Sequence, residues 1–534
     1  MAGRKIFPFV FLLCFTLVAF LPSAPAQSPM PADRKAYMEA ARIKEPDKKI
    51  AAMEKFIADF PRSQSVTFAH QAIFEVLVKN HPDQKDKILA SAGKAVETAS
   101  DFLKTSLYND LAAKLFEAGI LLDEAEKLAI KGLAVTEEEL AKQARHLKTG
   151  YYATLGHIYL KQGKLADAEK NLKQAYEFNP QLSSASIGLA ELYLKQGNEK
   201  LALESYATAA VSGKLPAESR KQMETLYSKS HQGSLAGLEE MLDAKYNQLY
   251  PLPVKFDHYK PSAKRTNRTV LAEIFTGSGC TACAAADLGF DAMMERYKRD
   301  ELAVLMYHLH IPEPDPMTNP ATQARSNFYG VQGLPGYALD GRQQSGGGSR
   351  DMAQEFYDRV NPDVEKRLET AAEADLKLDA LMDGPTIKAK ATVSNVRSDS
   401  TGLKLHIVLA EDKLRYNGEN GIRFHPMVVR SVAGPGYGGF AVTAKDSQSF
   451  EWTFDIKAIS AEARKHLDEY EKAGHHGEPF TFGEKKDQID PDNLTLVAFV
   501  QDEKTKAILQ TTSMKLKRQV ASSNNQEQYG MEAR

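Results

Sequence analysis

The chain has 534 residues, of which 43% are hydrophobic and 26% are charged, and its formal net charge is −2. This length allows about three or four domains of ordinary size. The near-neutral charge gives no support for binding to nucleic acid or to an anionic membrane surface, and the composition excludes a collagen-like repeat and wholesale disorder.

The first 26 residues have the pattern of a secretory signal peptide. A basic pair at residues 4–5 precedes an apolar run at residues 6–21, and small residues at 24–26 offer a cleavage site. Because this run is shorter than the roughly 20 residues of a membrane-spanning helix, cleavage is favoured over an uncleaved anchor. We therefore expect an exported protein, periplasmic or extracellular, with no transmembrane segment after cleavage. An association with the outer membrane stays open.

Cysteine use is sparse. The sequence has three cysteines, and because Cys14 lies in the leader the mature chain keeps only Cys280 and Cys283. These two form a C-x-x-C tetrapeptide, in which one helical turn can bring the thiols together as a dithiol or a disulfide. The spacing alone leaves a redox site, a metal site and a structural crosslink open.

Residues 30–250 are rich in Ala and Leu and are predicted to be helical. The pentapeptide Tyr-Leu-Lys-Gln-Gly at 159–163 recurs at 193–197 with an offset of 34 residues, which is the period of the tetratricopeptide repeat (TPR). Segments at 50–61 and 115–133 are interpreted as parts of further units. The region resembles TPR proteins, which implies an all-α solenoid with a concave face for a peptide or protein. The alternative is that the repeats serve only as a spacer and bind no ligand.

A connector at residues 251–268 leads to a region, 269–382, in which predicted strands and helices alternate, as in α/β folds. The predicted strands lie at 269–275, 302–310 and, after a turn, 333–340. The other predicted elements are helices at 280–297, 320–329 and 352–381 and a loop at 341–350.

From residue 384 to residue 516 the pattern changes to strands with alternating apolar residues. The predicted strands are 386–393, 403–409, 424–432, 450–456, 494–500 and 508–514, with a helical excursion at 460–472. This order resembles a small immunoglobulin-like β-sandwich. The polar tail, 517–534, is predicted to be disordered.

The cysteine pair falls between a predicted strand and a predicted helix. A helix N-terminus carries partial positive charge and free N–H groups, which stabilise Cys280 as a thiolate. Cys283, one turn further along, is placed to attack a mixed disulfide at Cys280 and to release the product. Cys280 is therefore the candidate entry nucleophile and Cys283 the candidate resolving thiol.

A second segment favours a redox site. Residues 329–335, Tyr-Gly-Val-Gln-Gly-Leu-Pro, resemble the part of thioredoxins that ends in a cis-proline. With the C-x-x-C pair, this makes residues 269–382 similar to the thioredoxin-like fold. The resemblance implies that Pro335 packs against the cysteines and that Gly333 and Leu334 bind an extended substrate segment.

The Glu-x-Phe-Thr run at 273–276 is similar to a run that precedes the cysteines in secreted thioredoxin-like proteins. Among these are outer-membrane-associated proteins with a β-domain behind the redox module. Three departures from thioredoxins stand out. Gly279 replaces the Trp that often precedes the first cysteine, residues 281–282 are Thr-Ala in place of Gly-Pro, and Gly336 stands where Thr is usual. These departures leave the redox potential and the direction of electron flow open.

Glu273 lies on a strand that is expected to be central. A buried carboxylate near the resolving cysteine can take its proton, because desolvation raises the pKa of a carboxyl group toward neutrality. The alternative is a hydrogen-bonded or partly exposed acid without a redox role.

His308 and His310 share one face of their predicted strand, since strand side chains alternate. With two thiols nearby they are candidate metal ligands, as in thioredoxin-like copper chaperones, although those commonly use a wider C-x-x-x-C spacing. A structural pair that anchors a loop is the alternative. The Asp-Pro motif at 315–316 is expected to shape the rim of the site.

The sequence therefore predicts a multidomain exported thiol–disulfide oxidoreductase: an all-α TPR solenoid, an α/β thioredoxin-like fold and an all-β immunoglobulin-like sandwich. Its expected partners are protein thiol or disulfide substrates, a redox partner protein and a peptide or protein bound by the TPR region. No bound cofactor is required. Two alternatives stay open, a non-catalytic cell-envelope scaffold with a structural Cys280–Cys283 disulfide and a copper chaperone.

Overall fold

The computed structural model describes residues 30–139, 145–213, 215–443 and 447–517. The predicted leader and nearly all of the predicted disordered tail lie outside the described residues. The chain divides into two compact units, the first ending at Gln162 and the second beginning at Gly163. Within the described ranges no helix combines the length and the apolar character that crossing a bilayer requires.

The first unit is helical in its described part. Its elements are α1 (Ala32–Ala41), α2 (Pro46–Asp59), α3 (Val66–Asn80), α4 (Lys85–Thr98), α5 (Asp101–Ala118), α6 (Leu122–Glu139) and α7 (Arg145–Gln162). Sequential helices pack on one another around a core of Ala, Leu and aromatic side chains. Tyr151 of α7 is buried in this core, and its hydroxyl donates to the Thr105 carbonyl of α5 at 2.9 Å.

The second unit begins with more helices of the same kind. They are α8 (Leu165–Phe178), α9 (Ser183–Lys195), α10 (Glu199–Ser212), α11 (Ala217–Ser230) and α12 (Leu238–Leu249). The second copy of the repeated pentapeptide ends α9, and the buried small residues Ala190 and Ala202 let α9 and α10 pack closely. The predicted TPR-like all-α region is thus confirmed.

The remainder of the second unit is rich in strands. In chain order its elements are β1 (Val270–Thr276), α13 (Ala284–Arg296), β2 (Leu302–His308), α14 (Pro320–Tyr329), β3 (Gly336–Leu339), β4 (Arg342–Ser345), α15 (Ala353–Leu368), β5 (Asp375–Asp383), β6 (Thr386–Ser394), β7 (Leu403–Glu411), β8 (Leu414–Arg415), β9 (Phe424–His425), β10 (Val428–Val432), β11 (Phe440–Ala441), β12 (Gln448–Asp455), α16 (Ile456–Ala473), β13 (Leu494–Asp502) and β14 (Ile508–Lys515).

One sheet crosses most of this region. Its order is β14-β13-β7-β10-β2-β1-β3-β4, and β11 also pairs with β7. β2 is parallel to β1, whereas β3 is antiparallel to β1 and β4 antiparallel to β3. A parallel bridge between Met306 and Val428 joins β2 to β10. The two regions that the sequence separates into an α/β part and a β-rich part therefore share a sheet.

A smaller antiparallel sheet has the order β12-β6-β5. Every second residue of β6 is buried, as its alternating sequence predicts. The helix expected over 352–381 is wrong in its second half, because α15 ends at Leu368 and β5 follows. Residues of β5 also alternate, and they pair with β6 along the whole strand. The loop expected at 341–350 likewise contains a strand, β4, paired with β3.

A buried ion pair connects β1 with α14. Arg325 donates from Nε and Nη2 to the two carboxylate oxygens of Glu273 at 2.7 and 2.9 Å. Nη2 also donates to Gln501 Oε1 of β13 at 2.8 Å. The side chains of Arg325 and Glu273 are 7% and 0% exposed, so each charge depends on the other for compensation.

Replacing Arg325 with Met should lower the free energy of unfolding by about 3–5 kcal/mol, because the carboxylate of Glu273 stays buried without its counter-ion. Urea-induced unfolding followed by circular dichroism measures the loss. The control is Arg342→Met on edge strand β4, where the side chain is exposed and the change should stay within about 0.5 kcal/mol. Equal losses in the two variants would contradict the importance of the ion pair.

Candidate functional site

Cys280 and Cys283 form a disulfide between β1 and α13, with their Cα atoms 5.3 Å apart. The turn that carries them begins where the Cys280 N–H donates to the Gly277 carbonyl at 2.9 Å. A short 3-10 turn, Thr281–Cys283, then leads into α13. Cys280 is 4% exposed and Cys283 is fully buried, at 0%. The strand–cysteine turn–helix order agrees with the sequence prediction. Both cysteines are, however, more buried than reactive cysteines, which are usually partly exposed.

The Leu334–Pro335 segment lies beside the cysteine turn. Its peptide bond is cis, and Pro335 directly precedes β3, the neighbour of β1. Gly347 fits between the two segments: a Cβ on it would lie 2.2 Å from the Ala282 carbonyl oxygen and 2.3 Å from Pro335 Cγ. Only a glycine backbone can pass through this gap. The structure therefore brings the cysteine motif and Pro335 within one backbone width of each other.

The backbone of Leu334 is available for hydrogen bonding. In the described part of the chain, neither its N–H nor its C=O makes a hydrogen bond. The residue is half-buried and the adjacent Gly333 is exposed. Leu334 Cδ1 lies 3.3 Å from the position that a Cβ of Gly277 would take, at the base of the cysteine turn. Unpaired backbone groups at an accessible position can bind an extended segment of another chain.

Glu273 accepts four hydrogen bonds, two on each carboxylate oxygen, from side chains of β2 and α14. Besides Arg325, the hydroxyl of Tyr307 donates to Oε1 at 3.0 Å and that of Tyr329 donates to Oε2 at 2.7 Å. This geometry matches the hydrogen-bonded alternative stated for Glu273. Its role as a proton acceptor for Cys283 stays a prediction that these contacts do not support.

Asp287 is a buried acid that was not predicted from the sequence. It follows Cys283 by four residues, so the two lie on the same face of the helix. Thr276 Oγ1 donates to its Oδ2 at 2.9 Å, while its Oδ1 is buried and has no hydrogen-bond partner among the described residues. Burial raises the pKa of Asp287 to about 7, although His308 and the bond from Thr276 oppose the shift. The C-x-x-C-x-x-x-D spacing was the available signal.

Asp315 fastens the loop after β2 to the cysteine turn. Its Oδ2 accepts the Ser278 N–H at 2.6 Å and contacts His308 Nδ1 at 2.9 Å, and its Oδ1 accepts the Met317 N–H at 2.8 Å. Burial alone would raise the pKa of Asp315, but His308 and these hydrogen bonds lower it to about 2. The carboxylate is therefore ionised and fixes the backbone two residues before Cys280.

The two candidate metal ligands are engaged by the same loop. His308 bonds to the Asp315 carboxylate, and His310 Nδ1 accepts the Asp315 N–H at 2.9 Å. The His310 ring also stacks on Tyr470 with the centroids 3.9 Å apart, and burial lowers the pKa of His310 to about 4. These contacts fit the loop-anchoring alternative. In the described ranges, no group of three or more His, Cys, Asp or Glu side chains could hold a metal ion.

The loop after β2 also explains Gly279. A Cβ at Gly279 would lie 2.6 Å from Glu313 Cβ, so this loop fills the space in which a larger side chain before Cys280 would stand. The glycine at this position is therefore a packing requirement of this chain.

Comparison with known proteins identifies the repeats. A family model for the tetratricopeptide repeat matches residues 159–211, which include both copies of the repeated pentapeptide. The chain therefore carries TPR repeats, which suggest interaction with other proteins. No curated protein matches the chain.

Several solved structures are similar to part of the chain. PilW, a widely conserved type IV pilus biogenesis factor, is 19% identical with a TM-score of 0.30, over 41% of this chain and 92% of that chain. The pilF protein of Pseudomonas aeruginosa is 18% identical with a TM-score of 0.29, over 41% and 92%. A thermophilic TPR protein of Thermus thermophilus is 18% identical with a TM-score of 0.26, over 37% and 99%. Likenesses this distant carry no argument about function.

Replacing Asp287 with Asn should change how stability depends on pH. The native carboxyl, whose pKa is raised to about 7 from an ordinary 3.8, keeps its proton in the range where the unfolded chain has lost it. Its contribution is complete below about pH 4 and is lost as the pH rises through about 7. The loss amounts to at most about 1.4 kcal/mol per pH unit.

Urea unfolding of both proteins between about pH 4 and pH 8 measures this effect. The stability of Asp287→Asn relative to the native protein should rise across the range and level off above about pH 7. Asp358→Asn replaces an exposed carboxylate on α15 and should leave the pH profile unchanged in shape. Parallel profiles for Asp287→Asn and the native protein would show that Asp287 ionises normally.

Proposed function

We propose that the protein is an exported thiol–disulfide oxidoreductase that acts through Cys280 and Cys283 and recruits protein partners through its TPR region. The observation that carries this proposal is the position of the disulfide turn against the Leu334–Pro335 segment, where the backbone of Leu334 makes no hydrogen bond to any described residue. Disulfide exchange with a polypeptide needs a sulfur pair next to a surface that can hold an extended chain.

The order of elements supports a thioredoxin-like domain around this site. β1 leads into the cysteine turn and α13, β2 runs parallel to β1, and Pro335 opens the antiparallel pair β3 and β4. The C-terminal strands would then be an immunoglobulin-like addition. A shared core between the sheet β12-β6-β5 and strands β7 and β13 supports that part of the proposal.

In the oxidising direction, a substrate thiolate attacks Cys280 Sγ, and the Cys280–Cys283 bond breaks as the mixed disulfide forms. Cys283 leaves with the electron pair and takes up a proton. A second thiolate of the substrate then attacks the substrate sulfur of the mixed disulfide. The substrate leaves oxidised, the cysteine pair is left reduced, and the disulfide of a redox partner protein restores it. The reverse sequence reduces a substrate disulfide.

We assign the proton transfer to Asp287 and not to Glu273. Both oxygens of Glu273 are already engaged by Arg325 and by tyrosine hydroxyls. Asp287 has a buried oxygen without a hydrogen-bond partner among the described residues, and a pKa of about 7. A group with its pKa near the working pH both gives and takes a proton readily, which suits the protonation of Cys283 as it leaves.

The cellular setting of this proposal rests on the leader-like N-terminal sequence, which favours the periplasm or the extracellular space. Disulfides persist in such compartments. TPR repeats stack helical hairpins into a surface that holds polypeptides, so the recruited partner would be a protein or peptide.

A second function is favoured by one observation. Cys280 and Cys283 are 4% and 0% exposed, and a structural crosslink in a cell-envelope scaffold would be buried in this way. A copper-chaperone role gains no support, because the Nδ1 atoms of both His308 and His310 are engaged by Asp315.

The variant Cys283→Ala should trap mixed disulfides between Cys280 and polypeptides of the cell envelope, since the resolving thiol is missing. Adducts formed with an envelope extract and then alkylated should appear on a non-reducing gel and disappear on reduction. Cys280→Ala is the matched control, and it should trap little because Cys283 is the more deeply buried thiol.

The reduction potential of the native pair decides between the two functions. Equilibration with glutathione measures this potential. It should lie above about −300 mV for an exchange-active pair, whereas the potentials of structural disulfides typically lie below that value. A lower potential, together with an absence of adducts in Cys283→Ala, would establish the scaffold.

A further inference from the structure

The segment from Leu414 to His425, here called the 414–425 hairpin, reaches two parts of the second unit at once. Its ends, β8 and β9, pair antiparallel. One side of the hairpin contacts α12, the last helix before β1, and the other side contacts the residues directly before Cys280. This hairpin is therefore a physical connection between the helical repeats and the disulfide.

Asn420, at the tip of the hairpin, binds the backbone of the cysteine turn. Its N–H donates to the Ser278 carbonyl at 3.0 Å, and its Nδ2 donates to the Gly277 carbonyl at 3.5 Å. Its Oδ1 accepts the Ile422 N–H at 3.1 Å, which fixes the side chain. Because Asp315 accepts the N–H of Ser278, Ser278 is bound through both of its backbone polar groups.

Charged side chains hold the hairpin on α12. Arg423 donates to Glu239 Oε2 at 2.7 Å and to Asp243 Oδ1 at 2.8 Å. Arg415 Nη2 pairs with the other oxygen of Asp243 at 2.7 Å. The side chain of Arg423 is only 4% exposed, so it depends on these carboxylates for compensation of its charge. Asp243 is therefore an acidic residue that both arginines share.

Uncharged contacts add to this attachment. The Tyr246 hydroxyl of α12 donates to the Gly421 carbonyl at 3.0 Å, and Phe424 packs edge-on against the Tyr246 ring with the centroids 5.4 Å apart. A separate cavity of about 560 Å³ is lined by Glu239, Arg415 and Arg423 among others. An incoming polypeptide can therefore reach the Glu239–Arg423 ion pair without first unfolding the repeats.

We propose that the 414–425 hairpin is a closing device for the disulfide. While it is bound to α12, Asn420 holds the cysteine turn closed and Cys280 stays 4% exposed. A polypeptide that binds the repeats and takes the acidic residues of α12 from Arg415 and Arg423 releases the hairpin and exposes Cys280. This inference rests on the proposed function and adds its regulation.

The test is the rate at which dithiothreitol reduces the disulfide in the folded full-length protein, followed by thiol labelling. Asp243→Asn removes the shared carboxylate and should raise this rate at least about tenfold, the factor that ~1.4 kcal/mol of opening free energy corresponds to. Asp167→Asn makes the same change at an exposed residue of α8 and should keep the native rate. A native rate in Asp243→Asn would overturn the proposal.

Two further measurements separate release of the hairpin from general loosening. Hydrogen exchange should quicken in peptides that cover 414–425 and the cysteine turn, and stay native in β13 and β14. The conservative variant Asp243→Glu keeps a carboxylate for both arginines and should keep the rate closer to the native value than Asp243→Asn does. Faster exchange throughout the second unit, or a rate in Asp243→Glu as high as in Asp243→Asn, would count against a specific closing device.

These measurements do not depend on whether the protein exchanges disulfides with clients. If the pair is a structural crosslink, Cys283→Ala traps no adducts but Asp243→Asn still accelerates reduction. If the hairpin does not close the site, Asp243→Asn leaves the rate unchanged while trapping by Cys283→Ala still succeeds.

Discussion

The buried charge of Arg325 constrains the whole strand-rich part of the second unit. A guanidinium group does not lose its proton in a protein, so its burial requires fixed partners. Glu273 of β1 supplies the counter-charge and Gln501 of β13 a further acceptor. Strands from opposite parts of the long sheet thus converge on one side chain of α14. The cysteine turn starts just past the end of β1, so its position follows from where this ion pair holds the strand.

Local sequence patterns were sufficient for elements whose structure is decided locally. α14 begins at Pro320, where Asn319 caps the helix and the proline occupies its first turn, and the alternation of β6 matches its burial. The second half of the helix predicted over 352–381 failed, because β5 takes its conformation from pairing with β6 and not from its own helix propensity. The joining of β2 to β10 depends on residues far apart in the chain, Met306 and Val428, which no local pattern reveals.

In the candidate site, too, local sequence patterns were sufficient for some residues and not for others. Motifs and spacing predicted Cys280, Cys283 and the Leu334–Pro335 segment, because these residues act through backbone geometry near the cysteines. The importance of Asp287 comes from burial, which raises its pKa, and burial is decided by tertiary packing. Glu273 is buried, as its expected place on a central strand suggested, but the sequence could not reveal that Arg325 is its partner. The contacts of the 414–425 hairpin are likewise set by the arrangement of α12 against the strands.

The gap occupied by Gly347 limits how this chain can change over time. A methyl group there would overlap both the Ala282 carbonyl oxygen and Pro335 Cγ, at 2.2 and 2.3 Å, and would drive the two halves of the candidate site apart. The loop between β4 and α15 is constrained next to this position as well, because the Gly348 N–H donates to the Ala282 carbonyl at 2.7 Å and the Gly348 carbonyl accepts the Ala285 N–H at 2.9 Å. A protein that lost Gly347 would have to rebuild the spacing between disulfide and proline with compensating changes on both sides.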